Sequence, residues 1–232
     1  MIARHRGALT AALLIGMVGT ADGQQIRSPY RFIDTSQFGG ISTGQVFAAP
    51  GRLHTGPDDA PMIMARWGLR VSGPFAVGAQ VGYMPSTRIV RDTVFVTPDS
   101  VYRALGEADI NVLTVLGNLR FNVTGSRTWN NLQPFALFGA GAAMDLAGTS
   151  PADTLVQPVD ARFDFGTSFA GQVGAGVEWF PSARFSARID AHNVLWKLKV
   201  PEAFGRTERG ENFPSSEWEQ NFVLSAGLSF HF

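Results

Sequence analysis

The sequence of 232 residues contains no cysteine. This absence excludes disulfide bridges, thiolate metal sites, a cysteine nucleophile and a lipid anchor attached through a cysteine. Charged residues are also scarce, at 16% against about 25% in an ordinary soluble domain. Basic and acidic residues are balanced, with 19 of each, so no excess charge indicates a nucleic-acid partner. Contact with a lipid bilayer would account for the shortage of charge.

Long apolar runs are missing as well. Beyond the N-terminus no segment has the roughly 18 consecutive apolar residues of a membrane-spanning helix. At the N-terminus, basic residues at 4–6 precede an apolar run, 8–18, and a small-residue stretch, 19–23. That order predicts a secretory signal peptide over residues 1–23. Residues 24–232 then form one domain.

What the sequence does contain is alternation of apolar and polar residues. It is clearest in the last segment, where residues 222, 224, 226, 228, 230 and 232 are apolar and the residues between them are small or polar, apart from Val223. Successive strand side chains point to opposite faces, so one face of this strand is apolar. Eight segments read as strands, over residues 38–47, 60–71, 75–84, 109–123, 132–146, 166–180, 184–200 and 218–232. Each reaches the roughly 9 to 11 residues that a tilted strand needs to cross a membrane.

The second, sixth and seventh segments show which face is polar. Arg66, Glu178 and Arg188 all alternate with apolar neighbours. Because such charges cannot point at lipid, their faces must line a lumen. The phase of the first and fifth segments is left open by the pattern.

The connections between segments alternate in length. Short turns are expected at 72–74, 125–131 and 181–183, whereas long loops are expected at 49–59, 85–108 and after the fifth and seventh segments. Outer-membrane barrels show this asymmetry, with short periplasmic turns, long extracellular loops and an even strand count. The sequence therefore predicts an all-β fold, an eight-stranded antiparallel up-and-down transmembrane β-barrel in the bacterial outer membrane.

Aromatic residues near the strand ends predict two membrane-interface girdles. The alternative is that they fill a soluble core. The turn-side girdle would contain Phe75, Phe121, Phe135, Trp179, Phe180, Phe185, Phe230 and Phe232, and the loop-side girdle Phe47, Tyr83, Trp196 and Trp218.

Three sequence segments, 134–141, 174–180 and 184–190, can be considered together with the aromatic C-terminal residue. They resemble the small eight-stranded barrels of the OmpA-like transmembrane and OmpW-like outer-membrane group. The resemblance implies that Phe230 and Phe232 belong to the signal read by the barrel-assembly machinery. It also implies a monomer surrounded by outer-membrane lipid and lipopolysaccharide.

Charged residues on the polar phase form the best candidate site. The predicted lumen network consists of Arg66, Arg70, Arg120, Glu178, Arg184, Arg188 and Asp190. A tight hairpin near Ser182 should bring Glu178 opposite Ser186, within diagonal reach of Arg184 and Arg188. A barrel of this width is filled by its own side chains, so the charges must pair. The network is then either a structural plug or a gate that passes small ions.

Two other functions stay open. A lipid A deacylase would need a histidine followed by a serine near the outer rim, and His192 is followed by Asn193. We therefore expect no enzyme, and with only four scattered histidines no metal or other cofactor. Surface recognition, as an adhesin or receptor, could use the charged and proline-containing loops at 91–108 and 202–217.

Overall fold

The structure is a computed structural model. It describes residues 28–51, 54–96, 99–157, 161–201 and 215–232, so the predicted signal peptide lies outside the described residues. In these ranges no helix is long and apolar enough to cross a membrane. The strands are β1 (Tyr30–Phe32), β2 (Gln37–Phe47), β3 (Ala60–Ser72), β4 (Phe75–Val96), β5 (Asp99–Asn122), β6 (Arg127–Trp129), β7 (Leu132–Asp145), β8 (Thr167–Trp179), β9 (Phe185–Lys199) and β10 (Ser216–His231), and the helix α1 is Pro151–Thr154.

Eight of the strands close into a ring. Its order is β2, β3, β4, β5, β7, β8, β9, β10 and back to β2, with every neighbouring pair antiparallel. The closing seam runs from the Phe222–Phe47 pair to the His231–Phe38 pair. Closure pairs the backbone groups that an open sheet would leave along its edges. The predicted eight-stranded antiparallel barrel is confirmed.

The two ends of the ring differ in their connections. We call the end with connections 73–74, 123–131 and 180–184 the turn end. The loop end carries the connections after β2, β4, β7 and β9. Successive connections lie at alternate ends because consecutive strands run up and down the ring, but the predicted alternation of short and long connections fails after β4, where only residues 97–98 separate β4 from β5.

The eight predicted segments match the ring strands within about two residues, except at β4 and β5. The expected long loop at 85–108 is wrong, because this segment forms a hairpin that continues both strands to the Val96–Asp99 pair. Six of the eight residues at 89–96 are β-branched or aromatic, the other two being Arg91 and Asp92, and this composition favours a strand. The ladder is interrupted by a register irregularity between Val90 and Arg91.

Pro85 begins the segment that was expected to form a loop, and proline cannot donate to a β-ladder. In the structure Pro85 lies opposite Asn111. The amide and carbonyl of Asn111 both bond toward β7, to the Asp145 carboxylate at 2.9 Å and the Leu146 amide at 2.9 Å. On the other side of β4, pairing with β3 has already ended at Tyr83. The proline therefore removes no ladder hydrogen bond.

The wall alternates as predicted between an exposed apolar face and a buried face. In β3, Ile63 is 64% exposed and its neighbour Met64 is 0% exposed. In β10, Leu228 is 66% exposed and Ser229 is 5% exposed. The structure also settles the two open phases: in β2 the lumen side carries Phe38, Ser42 and Val46, and in β7 it carries Gln133, Phe135 and Leu137.

Three aromatic residues assigned to the girdles lie inside instead. Phe135, Phe180 and Trp196 are each only 2% exposed. Phe135 and Trp196 follow the lumen phase of β7 and β9, so their strands turn them inward. Phe180 follows the end of β8, where its ring lies 4.9 Å from the ring of His231. Large aromatic side chains thus serve both the outer face and the lumen.

Glycine permits close contact between strands at one wall position. A Cβ on Gly141 in β7 would overlap the backbone oxygen of Val115 in β5, whereas a Cβ on Gly148 would meet no atom within 4 Å. We expect Gly141→Val to destabilise the barrel by about 1–3 kcal/mol through overpacking and Gly148→Val to be neutral. The folded fraction after refolding in detergent, read from cold and boiled samples on a denaturing gel, checks this. Equal folded fractions for the two variants would contradict it.

Candidate functional site

Glu178 lies at the centre of the polar half of the lumen, near the turn end. Its side chain is fully buried. One carboxylate oxygen accepts from Arg120 of β5 at 2.5 Å. The other accepts from the Ser186 hydroxyl at 2.5 Å and lies 3.3 Å from the Nε2 atom of His231. One carboxylate therefore joins β5, β8, β9 and β10 across the lumen.

Asp190 forms a second centre one step closer to the loop end. Its carboxylate is 2.6 Å from the Nε atom of Arg188 and 2.8 Å from the Nδ1 atom of His192. A guanidinium nitrogen of Arg66 lies 3.5 Å away, and the same side chain donates to Ser42. This centre connects β9 to β3 and β2.

An aromatic ring separates the two guanidinium groups nearest to it. The Phe135 ring has Arg120 at 4.1 Å and Arg188 at 4.3 Å from its centroid. Arg120 also donates to Asn122 at 2.7 Å and to Gln133 at 3.3 Å. Buried cations are stabilised by ring faces and by hydrogen bonds of this kind. The excess of arginine over carboxylate is therefore accommodated by neutral partners.

Five of the seven residues predicted for the lumen network lie together here, and they are Arg66, Arg120, Glu178, Arg188 and Asp190. Arg70 is half-buried at the turn end of β3. Arg184 was wrongly placed in the lumen: β9 begins at the next residue, and Arg184 lies exposed in the 180–184 connection.

The predicted hairpin register is also wrong. Glu178 lies opposite Arg188, and the next pair toward the turn is Trp179 with Ala187. The connection is longer than the expected tight turn, which shifts the pairing by two residues. Ser186 still reaches Glu178 because it lies one step diagonally from it on the same face.

Sequence reasoning missed the bond between Ser186 and His231, whose Oγ and Nε2 atoms are 2.7 Å apart. The even-numbered residues of β9 and the odd-numbered residues of β10 point into the lumen. Once the pairing of β10 at the seam is known, this alternation predicts that Ser186 and His231 are close. The pair lacks the arrangement of a nucleophile and base. Glu178 contacts the same ring nitrogen as the serine, and Nδ1 has no hydrogen-bond partner in the described structure. Both side chains are buried.

The loop-end half of the lumen is apolar. Trp196 and Phe165 meet edge to face at 5.9 Å, and Met62, Met64 and Met84 are at most 2% exposed. Gln80 and Gln172, 3.3 Å apart, lie where this layer meets the polar half. A cavity of about 20 Å³ beside Phe38, Arg66 and Gln80 has room for about one water. Side chains thus fill both halves.

Above the ring, the connection after β7 is tied to the β4–β5 hairpin. Arg88 of β4 contacts the carboxylate of Asp153 at 2.6 Å, and its guanidinium lies 5.1 Å from the centroid of the Phe163 ring. Ser150 and Asp153 form a reciprocal capping box that begins α1. No group of three metal-binding side chains is found in the described ranges.

These features define a class, a closed eight-stranded barrel with an apolar outer face and a filled lumen. Among solved structures the chain is similar to Neisserial surface protein A (NspA), with 11% identity, a TM-score of 0.48 and coverage of 88% of this chain and 98% of that one. It is similar to the N-terminal β-barrel domain of Pseudomonas aeruginosa OprF, at 10% identity, TM-score 0.45 and coverage of 85% and 98%. The outer membrane enzyme PagL gives 12% identity, TM-score 0.44 and coverage of 82% and 97%. At such identities the likeness concerns the fold alone.

Neither a protein-family model nor a curated protein sequence matches the chain. Membership of the OmpA-like or OmpW-like group stays a prediction.

Removing the central carboxylate tests the network. Glu178→Ala would leave Arg120 buried without its ionic partner, which we expect to cost about 3–5 kcal/mol of unfolding free energy. Glu107→Ala removes an exposed carboxylate and should change stability by less than about 0.5 kcal/mol. Denaturant unfolding of the refolded barrels measures both. A cost for Glu178→Ala no larger than that of its control would show that the network adds no stability.

The Arg88–Asp153 pair predicts a pH effect at the loop end. Burial acts to raise the pKa of Asp153, but hydrogen bonds from Arg88 and Ser150 and the charge of Arg88 outweigh it, so the pKa lies below its ordinary value of 3.8. The contact therefore stabilises the loop above the ordinary pKa and is lost as the pH falls through the lowered value. NMR shifts of the Leu155 and Val156 amides, followed against pH, should show a midpoint below 3.8.

Arg88→Gln should move that midpoint upward, because burial then acts without the opposing cation. Arg31→Gln, at the turn end, should leave it unchanged. A midpoint that is the same in wild type and Arg88→Gln would contradict the assignment.

Proposed function

We propose that the chain is an integral outer-membrane barrel with a structural role, a sealed anchor that holds its loop end at the cell surface. The outer face supports membrane insertion: Ile41, Ile63 and Leu228 are 68%, 64% and 66% exposed. Exposed apolar surface costs roughly 25 cal/mol per Å² in water. A continuous apolar band around a ring is suited to hydrocarbon.

Membrane insertion of the barrel also implies its orientation, its export and its surroundings. The turn end faces the periplasm and the loop end faces outward, after export directed by residues 1–23. Phe230 and Phe232 are 40% and 54% exposed, which leaves both rings available to the assembly machinery. Lipid and lipopolysaccharide surround a monomer of the OmpA-like or OmpW-like kind.

The filled lumen is the reason why we propose a structural role and not ion permeation. An ion would meet two successive barriers, the charge network around Glu178 and the apolar layer around Trp196. Opening the first requires separation of fully buried ion pairs, and an apolar constriction excludes water. A salt-bridge gate alone would leave the second barrier closed.

Planar-bilayer recording tests the sealed lumen. We expect no discrete current steps from the wild type and none from Glu178→Ala, because the apolar layer persists in both. The double variant Glu178→Ala with Trp196→Ala removes groups from both barriers and should conduct. Only protein that shifts on the cold-versus-boiled gel is recorded, so unfolded material does not enter the comparison.

Discrete current steps from the wild type would overturn the structural role in favour of permeation. Steps from Glu178→Ala alone would show that the charge network is the gate.

Surface recognition is a second candidate, supported by the β4–β5 hairpin. The hairpin continues beyond the other ring strands, and Arg88 ties it to α1. A held hairpin presents a defined surface, unlike the mobile loop that the sequence suggested. Part of the second predicted recognition loop, 202–214, lies outside the described residues.

We propose no enzymatic activity. His192 points into the lumen, where its Nδ1 atom contacts Asp190 at 2.8 Å, and it is 2% exposed. The following residue, Asn193, has the opposite phase. A lipid substrate outside the wall has no path to a histidine held in this way.

A further inference from the structure

The first described strand does not belong to the ring. β1 pairs with β6, and together they form a ribbon at the turn end. The ribbon is fastened by backbone bonds from Asn130 to Pro29 at 2.8 Å and from Ile33 to Ser126 at 3.0 Å. Asn130 and Asn131 both have positive φ, 48° and 62°, which suits the two-residue turn between β6 and β7.

The ribbon extends the barrel wall below β5. The pairing of β5 with β7 extends as far as the hydrogen bond from the Val123 amide to the Pro134 carbonyl, at 2.9 Å. Beyond it, on the same side of β7, Trp129 of β6 pairs with Leu132. On its other side Leu132 pairs with Trp179 of β8. β6 therefore takes the place beside β7 where β5 ends.

One face of the ribbon continues the outer face of the barrel. Directly paired residues of antiparallel strands share a face. The row across β8, β7, β6 and β1 consists of Trp179, Leu132, Trp129 and Tyr30. Tyr30 and Trp129 are 51% and 50% exposed, whereas Thr128 on the opposite face is 1% exposed. The aromatic side of the ribbon thus points outward, and on the opposite side Thr128 is buried whereas Arg31 is exposed.

A cation lies on the same aromatic face. Arg127 pairs with Phe32, and its guanidinium lies 4.3 Å from the centroid of that ring. Phe32 is 56% exposed and Arg127 is also exposed. The ion pairs found among the described residues do not include Arg127. A guanidinium fork can accept a bidentate anion such as phosphate.

We propose that this ribbon is a membrane-interface anchor that inserts Tyr30, Phe32 and Trp129 among phospholipid headgroups and holds a lipid phosphate through Arg127. The inference rests on the proposed membrane location. The outer face just above the ribbon ends in Phe75 and Phe121, whose rings lie 5.5 Å apart, so the ribbon lies one step beyond the apolar band. Amphipathic aromatics and arginine are the side chains that occupy this depth.

The absence of cysteine allows clean single-site labelling. Nitroxide labels are placed on Tyr30→Cys, on the aromatic face, and on Arg31→Cys, its neighbour on the opposite face. A third label on Leu228→Cys reports the middle of the wall. Collision with oxygen, which partitions into lipid, is compared with collision with a water-soluble nickel chelate in phosphatidylethanolamine–phosphatidylglycerol vesicles.

We expect the oxygen-to-nickel accessibility ratio at residue 30 to exceed that at residue 31 several-fold and to lie below that at residue 228. Equal ratios at 30 and 31, with a lipid-exposed residue 228, would overturn the anchor and leave the aromatic face open to water or to a soluble partner. Nickel access at residue 228 would instead overturn the membrane location itself.

The phosphate contact is tested in the Tyr30→Cys background. Arg127→Gln should lower the oxygen-to-nickel ratio at residue 30 about twofold or more, because the attraction of this basic residue to an anionic lipid surface is lost. Arg31→Gln removes the same charge from the opposite face and should leave the ratio unchanged. An unchanged ratio in Arg127→Gln, or an equal fall in both variants, would overturn the assignment of phosphate to Arg127.

Discussion

Closure of the sheet between β10 and β2 is the constraint on which the other features depend. Once the last strand pairs with the first ring strand, every side chain of the wall is committed to the inside or the outside. The period of two along a strand leaves no intermediate choice. A shift of one residue at the seam would exchange Leu228 and Ser229 between the two environments.

Because the lumen is narrow, the inward orientation of a charged side chain has an electrostatic consequence. Charges on the inner phase are cut off from bulk water and must find partners. They do so across the ring: Arg120 of β5 reaches Glu178 of β8 at 2.5 Å, and Arg66 of β3 reaches Asp190 of β9 at 3.5 Å. Such contacts join strands that are not neighbours in the ring, whereas neighbouring strands are already joined by backbone bonds.

The division of the lumen into a charged half and an apolar half gives the barrel its proposed role. Trp196, Phe165 and the methionines form one buried apolar cluster in the loop-end half. The proposed role is that of a wall that passes no solute and holds its two ends in fixed positions. On this proposal, specific function belongs to the β4–β5 hairpin at one end and the β1–β6 ribbon at the other.

The sequence by itself determined the eight ring strands and the face of most of their residues, because alternation is a local property that needs no knowledge of the neighbour. It assigned Arg66, Glu178 and Asp190 correctly to the inner phase. It was wrong about the segment 85–108, where Pro85 is compatible with a strand because its partner strand does not need that amide.

Only the tertiary structure decided which inner residues meet. The place of Arg184 outside the lumen, the pairing of Glu178 with Arg120 and the bond between Ser186 and His231 all depend on the length of a turn and the stagger of strands around the ring. The ribbon of β1 and β6 depends on contacts between residues about 100 positions apart in sequence. The alternation of apolar and polar residues along a strand cannot predict such contacts, because it indicates the face on which a residue lies and not the residue that it meets.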